Sequence, residues 1–216
     1  MNPVFTVNID AWNDGGSIPS RFAFGRIGKD TPFALSDNIS PAINWFNAPQ
    51  NTRSFAIICY DQDVPSSAED VNKEGSVIPA TLPRVPFFHW VLVDIPPNVS
   101  GLEEGLASSG ITPRGKKVGS TSYGISGKND YTNWFAGDPE MEGIYGGYDG
   151  PCPPWNDSVL HRYHFEVFAL DVDSLGLGGA FSGQEVQKAI EGHIVARGSY
   201  LGTYSINPEV DKEEKI

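Results

Sequence analysis

With 216 residues, of which 12% are aromatic and only 19% charged, and with 24 Gly and 17 Pro, the chain has the composition of a domain built from many short strands and tight turns. The formal net charge of −12, from 27 acidic and 15 basic groups, argues against nucleic acid or an anionic membrane surface as a partner. No apolar run is long enough to span a bilayer and the N-terminus lacks a signal-peptide pattern, so we expect no membrane insertion and a cytoplasmic location.

Apolar runs predict the strands of one domain over residues 1–208. Short strands are typical of moderately apolar, alternating segments, and longer continuous apolar runs indicate strands buried on both faces at the centre of a sheet. The two short strands are Phe5–Ile9 and Ile43–Phe46, and the three central strands are Ser54–Tyr60, Phe87–Ile95 and His161–Leu170.

The remaining chain holds long irregular segments and one clear helix. Ser66–Pro86 is a long polar stretch, and Gly101–Pro154, rich in Gly, Pro, Ser, Asn and Tyr, shows little periodicity; that much irregular chain inside a domain is uncommon unless it is functional. Ser182 and Glu185 form a capping-box pattern, and apolar residues then follow at helical spacing as far as Ile194. Alternation from Ala196 to Ile206 predicts a strand that closes the sheet, and the charged residues 209–216 are expected to be disordered.

Several polar residues lie where strands begin or end, which are common positions for ligand contacts. Asp61 and Asp63 follow the first central strand, although both could instead bond nearby backbone N–H groups in a turn. His89 lies at the start of the second central strand, where a satisfied core histidine is the alternative interpretation. His161 and Tyr163 open the third strand on one face, and Arg162, on the other face, is expected to pair with an Asp.

Gly150-Pro151-Cys152-Pro153-Pro154 is a rigid segment in which prolines fix the backbone while Gly150 and Cys152 keep their N–H groups. Such a segment could hold an N–H towards a ligand, or be an ordinary stiff loop. Cys59 lies in an apolar run and is expected to be a core residue rather than half of a disulfide. No nucleophile elbow, zinc-ligand spacing or phosphate loop occurs, so neither a metal nor a cofactor is expected.

The motifs Tyr60–Pro65, His89-Trp90-Val91, Gly147–Pro154 and His161-Arg162-Tyr163, in this order, resemble the phosphatidylethanolamine-binding protein family. Asp37–Pro41 resembles the bacterial and archaeal, Raf-kinase-inhibitor-like branch. The resemblance covers about residues 22–206. The usual Asp-Pro-Asp-Ala-Pro form of the first motif is altered, because Gln62 and Val64 replace its Pro and Ala. The stretches between Pro65 and His89 and from Ser122 to Tyr148 are also long, and Asn133-Trp134-Phe135 and the Tyr residues of the second stretch are expected to reshape the pocket mouth.

The resemblance implies a mainly β, sandwich-like domain around a large antiparallel sheet with a few short helices, one of them near the C-terminus. It implies a pocket for phosphate, phosphorylethanolamine-like or carboxylate anions, and a homodimer is the oligomeric state it suggests. The implied ligand-binding residues are Asp61, His89, Cys152, Pro153 and Tyr163, with Asp63, Pro65, Gly150 and His161 in support.

The function expected is therefore binding of a small anion, with a regulatory role, and not catalysis. An interaction or inhibitor module with a vestigial pocket, docking a protein partner, is the alternative, and a weak hydrolase using Asp61 and His89 is a third. In the binding hypothesis Asp61 holds His89 protonated; it could instead accept from a ligand ammonium group or share a proton with a phosphate oxygen.

Overall fold

A computed structural model describes residues 3–210 of the chain, in which strands predominate over helices. The two α-helices are α1 (Tyr131–Trp134) and α2 (Gly183–Ala189). The strands are β1 (Thr6–Asn8), β2 (Gly25–Arg26), β3 (Ala34–Leu35), β4 (Ile43–Phe46), β5 (Ser54–Pro65), β6 (Arg84–Ile95), β7 (Gly101–Leu102), β8 (Gly115–Lys116), β9 (Gly119–Ser120), β10 (Ile125–Ser126), β11 (Ile144–Tyr145), β12 (His161–Leu170) and β13 (Ile194–Tyr204).

The largest sheet has six antiparallel strands in the order β13-β12-β5-β6-β10-β9, and a three-stranded sheet has the order β1-β4-β7. This confirms the mainly β fold class and the three adjacent central strands. Two small pairs, β2-β3 and the parallel β8-β11, form separate two-stranded sheets. None of the helices among residues 3–210 has the length and apolarity needed to cross a membrane.

The main core lies between the two larger sheets. Trp45 on β4 and Phe55 on β5 are both fully buried, with ring centroids 5.2 Å apart. Cys59 is buried in the same core as a free thiol, as its apolar run predicts. A second apolar cluster covers the opposite face of the six-stranded sheet, where Val186 and Ile190 of the α2 region pack. Each such buried side chain contributes roughly 1.5–3 kcal/mol to stability.

Several predicted boundaries are wrong. β5 does not stop at Tyr60 but continues to Pro65, because Asp61 and Asp63 are buried and find partners on β12. β6 begins at Arg84, three residues before the predicted start.

The capping box at Ser182 is present, but α2 ends at Ala189 rather than Ile194. Gly192 has a positive φ of 81°, which turns the chain so that Ile194 can begin β13. The first strand covers Thr6–Asn8 only. Of the predicted tail, residues 211–216 lie outside the described part of the chain.

Candidate functional site

Three neighbouring strands bring polar side chains to the floor of one cavity. Asp61 on β5 stands opposite Tyr163 on β12 in the strand register, and opposite Phe87 on β6. Because successive side chains of a strand alternate between faces, Asp61 and Tyr163 point to the same side of the sheet. Both are almost completely buried, with 1% of each residue exposed.

A β-bulge directs His89 towards this floor. Tyr60 pairs with Phe88 and Cys59 pairs with Trp90, so His89 is the extra residue of β6 and has no register partner on β5. A bulge re-aims the side chain next to it, and the His89 ring lies 4.9 Å from Phe87 and 5.2 Å from Tyr163, centroid to centroid. The floor therefore depends on an irregularity in strand pairing.

Asp61 is paired with His161, not with His89. Its Oδ2 lies 2.6 Å from His161 Nδ1, and its Oδ1 accepts from the Asp63 N–H at 2.8 Å. His161 Nε2 is 3.1 Å from Asp157, which Arg84 also contacts, at 2.5 and 3.0 Å. The expectation that Asp61 holds His89 protonated is thus wrong for the free protein, because Asp61 makes its side-chain hydrogen bond with His161 and burial lowers the pKa of His89 in spite of the attraction of Asp61.

Opposite charges alternate along the series Asp61, His161, Asp157 and Arg84, and they stabilise one another. Burial alone would lower the pKa of His161, but the carboxylates of Asp61 and Asp157 outweigh it and raise that pKa to about 9. Burial would likewise raise the pKa of Asp61, yet the neighbouring His161 lowers it below its usual value. At neutral pH the floor consequently carries an imidazolium beside a carboxylate.

His89 is held differently. Its Nδ1 lies 2.7 Å from the Asp149 carbonyl oxygen, to which it donates, and no described residue bonds its Nε2. Burial lowers the pKa of His89, and this outweighs the attraction of Asp61 and of the carbonyl oxygen. The imidazole is therefore neutral at pH 7 in the free protein, with Nε2 available to a ligand.

Tyr163 and Cys152 offer two further polar groups that lack a hydrogen-bond partner of normal geometry. The buried Tyr163 hydroxyl makes no hydrogen bond of normal geometry with any described residue, although burial and the nearby Asp61 raise its pKa well above the ordinary value. The Cys152 N–H likewise has no partner among residues 3–210. Native structures satisfy most buried polar groups, so the buried Tyr163 hydroxyl calls for a ligand or water.

The rigid segment is held in place by hydrogen bonds to other parts of the chain. Gly150 donates its N–H to Asn38 at 2.8 Å, and a Cβ at Gly150 would lie 2.0 Å from the Phe22 carbonyl oxygen, so this position requires glycine. The Pro151 carbonyl accepts from Phe24 at 2.8 Å. These contacts place Cys152 and Pro153 at the cavity.

The other predicted residues divide between the cavity and its supports. Pro65 and His161 line the cavity, which has a volume of about 370 Å³. Asp63 lies apart from its lining and instead binds Arg162 through two side-chain contacts of 2.9 and 2.7 Å, which is the ion pair predicted for Arg162. Among residues 3–210 no group of three or more His, Cys, Asp or Glu side chains is arranged to hold a metal ion.

Sequence reasoning missed Asp149 and most of the cavity wall. The Asp149 carboxylate is completely buried and accepts from Asn38 at 2.7 Å and Asn129 at 2.8 Å, with Lys116 at 2.9 Å. No spacing in the sequence links these residues.

The cavity wall was partly predicted, because the aromatic residues in Ser122–Tyr148 were expected to reshape the pocket mouth. Further lining residues are Phe24, Phe33, Leu35, Phe87, Tyr131, Trp134, Phe135 and Met141.

Comparisons with known proteins agree with this architecture. The family model described as phosphatidylethanolamine-binding protein matches residues 8–205. A UPF0098 protein of Methanothermobacter thermautotrophicus is 32% identical over 194 residues, covering 90% of this chain and 94% of its own length. UPF0098 protein YbhB of Escherichia coli is 28% identical over 193 residues, covering 89% of this chain and 94% of its own.

Two solved structures share the fold. A phosphatidylethanolamine-binding protein homologue from Chlamydia trachomatis superposes with a TM-score of 0.64 at 24% identity, covering 95% of this chain and 99% of that one. Escherichia coli YbcL gives a TM-score of 0.65 at 24% identity, covering 94% and 99%.

Proposed function

The chain belongs to the bacterial and archaeal branch of the phosphatidylethanolamine-binding protein family, and from this premise we propose that it binds a small anion, with a regulatory role. Phosphate, a phosphorylethanolamine-like head group and a carboxylate are the candidate ligands. The anion rests on the cavity floor, between Asp61, His89, Tyr163 and the Cys152–Pro153 backbone.

The observation that carries this proposal is the convergence of open polar groups. The Tyr163 hydroxyl, His89 Nε2 and the Cys152 N–H belong to residues that line one cavity, and none makes a hydrogen bond of normal geometry with a described residue. Each can donate to an oxygen of the ligand, His89 once it is protonated. Hydrogen bonds to a charged group contribute roughly 1.5–3 kcal/mol each.

Asp61 does not prevent anion binding, because its charge is already compensated. His161 supplies a positive charge 2.6 Å from its carboxylate, and Arg84 does the same for Asp157. These four side chains sum to no net charge. The anion therefore meets a nearly neutral floor rather than a bare carboxylate.

Proton uptake by His89 completes the site. The groups around this imidazole are the Asp61 and His161 pair, the Asp149 carbonyl and carboxylate, and the rings of Tyr131 and Tyr163. Because the lowered pKa keeps His89 neutral at pH 7 in the free protein, an anion that needs its Nε2–H binds together with a proton. Affinity should then weaken as pH rises.

Binding is favoured over catalysis by the chemistry of the lining. The described lining contains no Ser, Thr or Lys. The Cys152 thiol is a poor nucleophile, because burial raises its pKa to about 12. Asp61 already accepts two hydrogen bonds.

Calorimetric titration with acetate, phosphate and phosphorylethanolamine between pH 5 and 8 tests the proposal. Acetate is the reference above pH 6, because its charge is constant there. We expect its affinity to fall by as much as about tenfold per pH unit, and buffers of different ionisation enthalpy should reveal about one proton taken up.

His89→Gln should abolish this pH dependence and weaken binding at least about tenfold. His164→Gln is the matched control, since His164 stacks on Tyr60 and lies outside the cavity lining. Affinity that is constant from pH 5 to 8, or insensitive to His89→Gln, would reject the proposed site. Turnover of a chromogenic ester or phosphate that disappears in Asp61→Ala would show an enzyme instead.

A further inference from the structure

Beyond its polar floor, the cavity has a wall of aromatic rings. Phe24 and Tyr131 stack with centroids 4.7 Å apart and planes at 22°, and Tyr131 and Phe135 stack at 5.5 Å and 27°. Phe87 meets the Tyr131 ring edge-on at 5.2 Å. Offset stacks and edge-to-face contacts are the geometries that aromatic rings prefer, so another ring could extend this arrangement.

The wall offers apolar surface and little else. The Tyr131 hydroxyl donates to the Gly150 carbonyl at 2.7 Å, so Tyr131 offers the cavity no unpaired polar group. The Cys152 thiol stays neutral, because burial raises its pKa to about 12. These side chains therefore favour an apolar partner over a polar one.

Large apolar side chains also reach the solvent at the opening. Trp134 of α1 and Leu35 of β3 line the cavity, yet they are 48% and 55% exposed. The chain places Trp134 there firmly, since Asp130, just before α1, donates to the Phe88 carbonyl and accepts from the Phe88 N–H, both at 2.8 Å. Exposed apolar side chains grouped around an opening mark a binding site.

The cavity is also larger than a small inorganic anion on its floor would need. Its volume of about 370 Å³ falls in the range of sites that enclose organic ligands. An inorganic anion on the floor would leave most of this space facing apolar side chains. The wall therefore points to a ligand with an apolar body.

We propose that the physiological ligand is an aryl monoanion: a small acid whose charged group rests on the floor while its flat ring lies against Phe87, Tyr131 and Phe135. Trp134 and Leu35 cover the outer edge of that ring. The assignment of the charged end rests on the proposed function; the aromatic body rests on the wall.

A single negative charge follows from the charges that line the cavity. No Lys or Arg is among the described lining residues. The imidazolium of His161 is already shared between Asp61 and Asp157. One proton taken up by His89 can balance one ligand charge, and a second would remain uncompensated.

Calorimetry with benzoate, acetate and hexanoate at pH 6 tests this assignment, because all three are monoanions. We expect benzoate to bind at least about tenfold more tightly than acetate, and about threefold more tightly than hexanoate. Trp134→Ala and Leu35→Ala should each reduce the benzoate-to-acetate affinity ratio about threefold. Phe46→Ala is the control, since Phe46 is 52% exposed on β4 and lies outside the cavity lining.

The outcomes separate this inference from the proposed function. His89-dependent acetate binding without any preference for benzoate would overturn the aryl ligand and leave the anion site intact. Hexanoate binding as tightly as benzoate would replace the ring with an alkyl chain. A benzoate preference unchanged by both substitutions would place the ring elsewhere and overturn the inference. No binding of any of the three acids would overturn the aryl ligand, while phosphate or phosphorylethanolamine binding that depends on His89 would still support the anion site.

Discussion

Two buried carboxylates near His89 are satisfied in opposite ways. Asp149 is surrounded by groups of the protein alone: the side-chain amides of Asn38 and Asn129 and the ammonium of Lys116. Asp61 is held by one imidazolium and one backbone N–H, and it borders an open cavity. The first arrangement is closed, and the second leaves room for a guest.

The difference separates residues that hold the fold in place from residues that are available to a ligand. The closed network fixes the segment around Asp149, whose carbonyl oxygen in turn orients His89. The open network keeps the floor close to neutral while the groups beside it, Tyr163 and His89 Nε2, lack partners. Substitutions in the closed network should therefore cost stability, and those of Tyr163 and His89 should chiefly change ligand binding.

The largest effect is expected from Asp149→Asn. The change preserves volume but leaves the largely buried Lys116 ammonium without a counter-charge, and removal of one member of a buried charge pair costs about 3–5 kcal/mol. Urea denaturation at pH 7 measures the loss in the free energy of unfolding.

Asp173→Asn is the control for this measurement. Asp173 pairs with Arg53 on the surface, where the two side chains are 71% and 57% exposed, so its loss should cost less than about 1 kcal/mol. If the two substitutions cost the same, Asp149 does not hold the structure together in the way that its contacts indicate.

Local patterns account for the parts of the fold that could be predicted. The third central strand has the predicted bounds, His161–Leu170, and the Ser182–Glu185 capping box is present, because apolar runs and caps are properties of neighbouring residues. The end of β5 was missed, since buried acids look like turn residues until their partners across the sheet are known.

The site was predictable as a set of residues but not as a set of contacts. The resemblance brought Asp61, His89 and Tyr163 together, and they do line one cavity. The bulge at His89 exists only in the pairing of two strands, so β6 alone gives no sign of it. The pairing of Asp61 with His161 depends on strand register, which residue spacing along the chain does not reveal.

Stability at the cavity floor should depend on pH through His161, an effect smaller than that of Asp149→Asn. The folded-state pKa of about 9 exceeds the ordinary value of 6.5, so the folded protein holds this proton more tightly than the unfolded chain. The contribution is complete below pH 6.5 and disappears as pH rises through 9. It amounts to at most about 3 kcal/mol.

Denaturation of wild type and His161→Gln at pH 6.5 and 9.5 isolates this contribution. The stability difference between the two proteins should shrink by up to about 3 kcal/mol over this interval. His193→Gln serves as control, because His193 pairs with Asp171 at the surface with both side chains more than 40% exposed, and its contribution should stay below about 1 kcal/mol. A wild-type advantage that is constant with pH would mean that His161 is not an imidazolium.

The smallest effect on stability, and the sharpest test of the contrast, is expected from two buried tyrosines. The Tyr148 hydroxyl donates to the Phe22 carbonyl at 2.7 Å, so Tyr148→Phe leaves a buried acceptor unpaired and should cost about 1–2 kcal/mol. The Tyr163 hydroxyl has no described partner of normal geometry, so Tyr163→Phe should leave stability unchanged or raise it by up to about 1 kcal/mol.

Acetate affinity should respond in the opposite order: Tyr163→Phe should weaken it about tenfold or more, because a charge-assisted hydrogen bond is lost. Urea denaturation and calorimetry on both variants measure the two effects. If Tyr163→Phe destabilises the fold as much as Tyr148→Phe does, its hydroxyl belongs to the framework, and the floor is as closed as the surroundings of Asp149.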